Sequence, residues 1–283
     1  MKIFLITPIG FCSGVRKSID LAMRIRIEKE EVFTLGTLVH NPKVIEELAF
    51  KNIKLWNSKE KPRNKVLIIR AHGLPKEEVE EYRNLGNEIF DATCSLVKRV
   101  QILSEFLTKN GYKVIIIGEE NHPEVKGILS YTNGKGIVIQ KIEDLDKIEK
   151  FPRIGVVSQT TQNWEDVKKI IDKILDKGKE IRIFNTICPE VEERQRKLDY
   201  LSKDLDTILV LGGKNSANTK RLFQIAKKYK RAYHIENIEE LEKKWFKEED
   251  KIGIISGTST PDSFINDVVE RLREWFPLEI YYI

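Results

Sequence analysis

The chain has 283 residues, 41% hydrophobic and 33% charged, a balance that excludes a disordered chain and fits a globular protein of about two domains or three small ones. Lys and Arg outnumber Asp and Glu by 49 to 44, a net charge of +5. Both signs are interspersed, as in Lys76–Arg83 and Lys247–Lys251, so the surface carries a mild positive field toward anionic ligands without the dense basic, aromatic-rich stripe of a nucleic-acid binder.

In chain order, Lys2–Ile6 reads as a first strand and not as a secretory leader. No apolar run approaches the ~18–20 residues that span a bilayer. No nucleic-acid or membrane partner is therefore expected, and a cytoplasmic location is. Further strong strand candidates are 65–70, 113–118, 153–158, 207–212 and 251–256. Weaker ones lie at 31–35, 87–90, 136–140, 180–184 and 231–235. The unbroken Val/Ile/Leu runs predict strands buried on both faces, as in parallel sheets covered by helices. Between them, Val15, Ile19, Ala22 and Met23 repeat at helical spacing, as do Leu96, Val97, Val100 and Leu103, and Phe264, Val268 and Leu272 after Thr260-Pro261-Asp262. The alternation predicts α/β architecture.

Cys12, Cys94 and Cys188 stand 82 and 94 residues apart, each on a turn that leads into a helix. The simplest arrangement is three α/β units with small, mostly parallel sheets around a shared centre. The expected bounds are 13–94, 95–190 and 191–283, the last completed by strand 1–12. Three thiols are an odd number for a disulfide framework. A single free cysteine ordinarily behaves as a small buried hydrophobe. All three at turn-to-helix positions weighs against that, because a helix N-terminus favours the metal-ligating thiolate. Three thiolates suit zinc with an open position or three corners of a 4Fe–4S cluster. With no CxxC pair, spacing alone leaves the metal and structural readings level.

Ligands of open parallel sheets sit beyond the carboxyl ends of the strands. The loops there carry His40-Asn41-Pro42, Ala71-His72-Gly73, His122-Pro123-Glu124, Gln159-Thr160-Thr161, Ser216-Ala217-Asn218 and Thr258-Ser259-Thr260. Three of the four histidines fall in these loops, and His234 in a strand. Small polar donors, glycine and imidazole at helix N-termini are what a phosphate-binding rim needs.

Nine motifs in order, GFCSGV, LVHNP, RAHG, DATC, GEENHPEV, SQTT, NTIC with RQ, GGKNSANTKRL and SGTSTP, resemble the 4-hydroxy-3-methylbut-2-enyl diphosphate reductase family over nearly the whole chain. The resemblance implies a reductase that removes the substrate hydroxyl with two electrons and two protons, giving isopentenyl and dimethylallyl diphosphates, the last step of the non-mevalonate isoprenoid pathway. It implies that Cys12, Cys94 and Cys188 hold a 4Fe–4S cluster with one iron not ligated by protein. It further implies that His40, His72, His122, Ser216, Asn218 and Ser259 hold the diphosphate, that Glu124 delivers protons, and that Thr160 lies beside the substrate alcohol. The implied electron donor is a ferredoxin or flavodoxin. Two positions depart from the family pattern: Ala217 stands where it usually has serine or glycine, and Glu190-Val191 where it often has Ala-Thr after a variable residue. The rival readings are a non-catalytic phosphometabolite-binding protein with a structural metal site, a zinc hydrolase and, on the basic pI alone, an RNA-binding protein.

Overall fold

Continuous β-branched runs form strands whose two faces both need apolar cover. The computed structural model, which describes residues 1–39, 41–229 and 231–283 without the side chains of Pro42, Lys43 and Lys147, shows how each run is covered. Its strands are β1 (Lys2–Leu5), β2 (Val32–Leu35), β3 (Ile53–Leu55), β4 (Val66–Ile69), β5 (Glu88–Asp91), β6 (Lys113–Ile117) and β7 (Ile137–Ile139). Then come β8 (Phe151–Ser158), β9 (Gly178–Ile183), β10 (Thr207–Leu211), β11 (Arg231–Ile235), β12 (Lys251–Ser256) and β13 (Glu279–Tyr282). The α-helices are α1 (Ser13–Glu28), α2 (Pro42–Phe50), α3 (Lys76–Asn84), α4 (Ser95–Lys109) and α5 (Pro123–Ser130), followed by α6 (Trp164–Ile174), α7 (Pro189–Leu201), α8 (Ala217–Ala226) and α9 (Asp262–Trp275).

The strands form three sheets, ordered β11-β10-β12-β1-β13, β3-β2-β4-β5 and β7-β6-β8-β9. All pairings among the described residues are parallel. The α/β class with small parallel sheets is therefore as the alternation predicts. The chain falls into two compact units. One comprises Met1–Arg16, Val39–Glu47 and Pro189–Ile283 and holds the five-stranded sheet. The other comprises Lys17–Leu38 and Leu48–Cys188 and holds both four-stranded sheets.

In the first unit, β10 is buried at every position. Leu209 and Leu211 pack with Phe264, Ile265, Val268 and Leu272 of α9. Ile208 and Val210 point the other way, into Leu198 of α7 and Leu222 and Ile225 of α8. The period-2 strand thus feeds two cores. In the second unit, β6 behaves likewise. Ile115 and Ile117 pack with Val167, Ile170 and Ile174 of α6, while Val114 and Ile116 meet Val100 and Leu107 of α4 and Val125 and Ile128 of α5. Gly155 in β8 is required there, since a Cβ would stand 2.6 Å from Leu107 Cδ1.

Two strands fall outside the sequence candidates: β3 is three residues with Lys54 at its centre, and β13 lies in residues 278–283. β13 is an edge strand that pairs in parallel with β1.

Candidate functional site

Parallel topology sends the loops after β6 and β8 to the same end of their sheet. After β6, His122 caps α5 with its side chain, Pro123 takes the first helical position, where its missing N–H costs nothing, and Glu124 follows. After β8 comes Thr160, 6% exposed. Glu124 is only 1% exposed. Its Oε1 accepts the Thr160 backbone N–H at 2.7 Å and its Oε2 accepts the Thr160 hydroxyl at 2.9 Å. Burial pushes this carboxyl up from 4.5 to about 7, against the opposing pull of the two Thr160 donors. A helix-dipole role alone does not describe Glu124, because both oxygens turn away to Thr160. Near neutral pH the carboxyl exchanges a proton readily, and in its acid form Oε2 can donate toward the Thr160 oxygen.

His122 Nδ1 accepts the Glu124 backbone N–H at 3.2 Å. That bond uses the Nδ1 lone pair and leaves Nε2 as the ring's donor atom. His72, from the loop after β4, meets the His122 ring edge to face, centroids 5.4 Å apart. The structure thus brings His72, His122, Glu124 and Thr160 into one chain of contacts within the second unit. His40 lies outside the described residues. Its neighbour Asn41 begins α2, accepting the Val44 N–H at 3.2 Å.

The first unit holds a second set of predicted residues. Ser216 caps α8, accepting the Thr219 N–H at 3.3 Å. Asn218 is 2% exposed, and among the described residues neither its Nδ2 nor its Oδ1 has a hydrogen-bond partner. Burial of an amide without a partner is expensive. Ser259 is half-buried in the turn after β12, and Ala217 offers no hydroxyl beside Asn218.

Comparison with known proteins decides the family. The model of the LytB protein family matches residues 3–273. The chain belongs to the LytB family. A Dictyoglomus thermophilum relative, 58% identical over 283 residues and covering all of both chains, is a 4-hydroxy-3-methylbut-2-enyl diphosphate reductase. One from Aquifex aeolicus, of the same name, is 42% identical over 94% of this chain and 93% of its own. A solved structure of (E)-4-hydroxy-3-methyl-but-2-enyl diphosphate reductase, described as the terminal enzyme of the non-mevalonate pathway, is 40% identical. It aligns over 96% of this chain and 99% of its own, with a TM-score of 0.73. The Plasmodium falciparum E-1-hydroxy-2-methyl-but-2-enyl-4-diphosphate reductase structure is 26% identical over 99% and 92%, with a TM-score of 0.92.

In this LytB chain each cysteine directly precedes a helix, α1, α4 or α7, and all three are half-buried and outside any disulfide. Cys12 Sγ accepts the Val15 N–H at 3.4 Å. Burial pushes its thiol above 9.0, Val15 and Gly14 amides pull it down, Glu190 adds to the rise and Arg194 opposes it. Cys94 donates its N–H to Ala71 O at 3.0 Å, and Cys188 to Thr160 O at 2.8 Å. That last bond ties the third cysteine to the residue holding Glu124. Cys12 belongs to one compact unit, and Cys94 and Cys188 to the other. Among the described residues no three His, Cys, Asp or Glu side chains form a group that could hold a metal ion.

Sequence reading missed the most buried cation among the described residues. Arg194, fully buried in α7, donates from Nη1 to Ser256 O at 2.7 Å and from Nη2 to Gly10 O at 2.8 Å. Its only signal is the RQ pair after the third cysteine. His234, read as structural, sits in β11 with Nε2 2.9 Å from Gly212 O. No described helix is long and apolar enough to cross a membrane.

Proposed function

We propose that this chain reduces 4-hydroxy-3-methylbut-2-enyl diphosphate to isopentenyl and dimethylallyl diphosphates, with Cys12, Cys94 and Cys188 holding a 4Fe–4S cluster in which one iron has no protein ligand. The observation that carries the chemistry is the Glu124–Thr160 pair: a carboxyl held near pH 7 and hydrogen-bonded to a hydroxyl. The donor set fits the cluster, since three half-buried thiols, each directly before a helix, are the soft sulfur ligands that an iron–sulfur cluster takes. When bound, the cluster would relay the donor's two electrons one at a time and supply Lewis acidity toward the substrate alcohol.

The chain's own residues do the rest. Hydroxide is a poor leaving group, so a proton must reach the departing oxygen. Glu124 in its acid form donates from Oε2 to Thr160 Oγ1, whose own proton passes outward. His122 Nε2–H and His72 bind phosphate oxygens beside this relay. Ser216, Asn218 and Ser259 contribute to the same diphosphate, Asn218 gaining the partners it lacks. His40 joins them. The chain works as three α/β units, 13–94, 95–190 and 191–283 with 1–12, a division supported by one sheet falling within each. A reduced ferredoxin or flavodoxin, acidic against a chain of net charge +5, delivers the electrons.

The test is anaerobic turnover with reduced dye as donor. Glu124→Gln should lower kcat by about 10²–10⁴, the worth of a positioned acid, with substrate binding retained. Turnover close to wild type in that variant would remove Glu124 from the mechanism.

A further inference from the structure

The loop Gly10–Ser13, which carries Cys12, has almost every polar group of its backbone assigned. Gly10 donates its N–H to Ser256 Oγ at 2.8 Å, and its carbonyl accepts Arg194 Nη2 at 2.8 Å. Phe11 O accepts Arg16 Nε at 3.2 Å, and Cys12 N–H donates to Thr258 O at 2.9 Å. Ser13 N–H donates to Glu190 Oε1 at 3.1 Å. Gly10 holds φ +83°, a left-handed conformation that glycine adopts without strain.

Two of these tethers come from one helix. Glu190 and Arg194 are four residues apart in α7 and therefore share a face. Glu190 holds the residue after Cys12, and Arg194 holds the residue two before it. Arg194 Nη1 also bonds Ser256 O at 2.7 Å and reaches Ser256 Oγ at 3.2 Å. Ser256 ends β12 and opens the turn that carries Thr258 and Ser259. A single guanidinium, with no exposed surface, thus joins the start of the cysteine loop to the start of the serine loop. A buried cation is retained only where its geometry is well satisfied. Here its planar fork matches two carbonyls that a lysine could not bridge equally.

We propose that α7 is a two-point clamp on the Cys12 loop. In it Arg194 is a positioning residue that sets Cys12 relative to the Ser256–Ser259 turn, and Glu190 is the second anchor. The roles of Cys12 and Ser259 in this inference rest on the reductase reading above; the clamp itself rests on the hydrogen bonds alone. It also gives Glu190, a departure from the family pattern, a defined task at the Ser13 amide.

The experiment is amide hydrogen exchange on the full-length apoprotein, comparing segments 8–16, 256–261 and 113–130 in wild type, R194M, R194K and E190A. In R194M, exchange in 8–16 and 256–261 should rise about tenfold or more, matching the loss of one hydrogen bond to a charged donor, with 113–130 unchanged. R194K should lie between R194M and wild type. E190A should speed exchange in 8–16 and leave 256–261 as in wild type. Wild-type exchange in 8–16 of R194M, or equal acceleration in all three segments, overturns the clamp. Should R194M fail to fold, R194K carries the test: faster exchange confined to 8–16 and 256–261 supports the clamp, and an unchanged pattern overturns it. After identical reconstitution, R194K should bind less iron per chain than wild type, and equal iron counts would deny the positioning role. If wild type itself shows no reductase activity, the functional reading fails while the exchange pattern still decides the clamp.

Discussion

Glu124→Gln should change how stability depends on pH, independently of any catalysis. The folded carboxyl sits at about 7, raised from its ordinary 4.5 by burial. The folded state therefore binds this proton more tightly than the unfolded state does. That contribution to stability is complete below pH 4.5 and is lost as pH rises through about 7. At about 1.36 kcal/mol per pH unit, the loss reaches on the order of 3 kcal/mol, a large part of the ~5–15 kcal/mol that holds a domain folded. Glutamine has nearly the same shape, keeps an acceptor for the Thr160 N–H, and cannot ionise. Urea unfolding of both apoproteins at pH 4.5 and pH 8.5 isolates the group, since all other titrations are shared by the two proteins. The stability of E124Q relative to wild type should rise by about 3 kcal/mol between the two pH values. A constant difference would show that the carboxyl is not held protonated by burial, and the acid role would lose its physical basis.

Thr160→Val removes the hydroxyl bonded to Glu124 Oε2 and keeps the backbone N–H bond to Oε1. The carboxyl should then protonate at still higher pH, read as an upward move of the midpoint in the same unfolding series, and turnover should fall by about 10² or more. Asn218→Ala removes an amide that has no partner among the described residues. Its apoprotein should melt at or above the wild-type temperature while affinity for inorganic pyrophosphate, measured calorimetrically, falls about tenfold; unchanged affinity would take Asn218 out of the diphosphate site. Serine at Cys12, Cys94 or Cys188 should each abolish the ~400 nm absorbance of thiolate-held iron–sulfur in anaerobically reconstituted protein, and a variant that keeps it would free that cysteine from ligation.

The central strands were legible because burial on both faces leaves a signature in each one: β4, β6 and β10 are near-continuous Val/Ile/Leu, and β8 and β12 carry Ile and Val runs broken by a glycine. β13 was not, because its reason for being a strand is the far end of the chain. Its Glu279 amide bonds Met1 O and the adjoining Ile283 amide bonds Leu5 O, partners that no local pattern announces. The positions of His72, His122, Glu124 and Thr160 followed from where parallel strands end. The Glu124–Thr160 bond did not, because it joins residues 36 apart whose loops meet only once β6 and β8 pair. Arg194 was the least legible. In PEVEERQRKLDYL it is one charge among many and reads as a solvated helix face, whereas the fold turns it inward onto Gly10 and Ser256.

Anaerobic isolation followed by iron and acid-labile sulfide counts, on the same sample used for turnover, bears most directly on what this LytB chain does. About four irons and four sulfides per chain, with reduction of the allylic diphosphate, is the outcome we expect of three cysteines holding one cluster. Protein that reduces the substrate without iron, or that binds zinc and no sulfide, would contradict it.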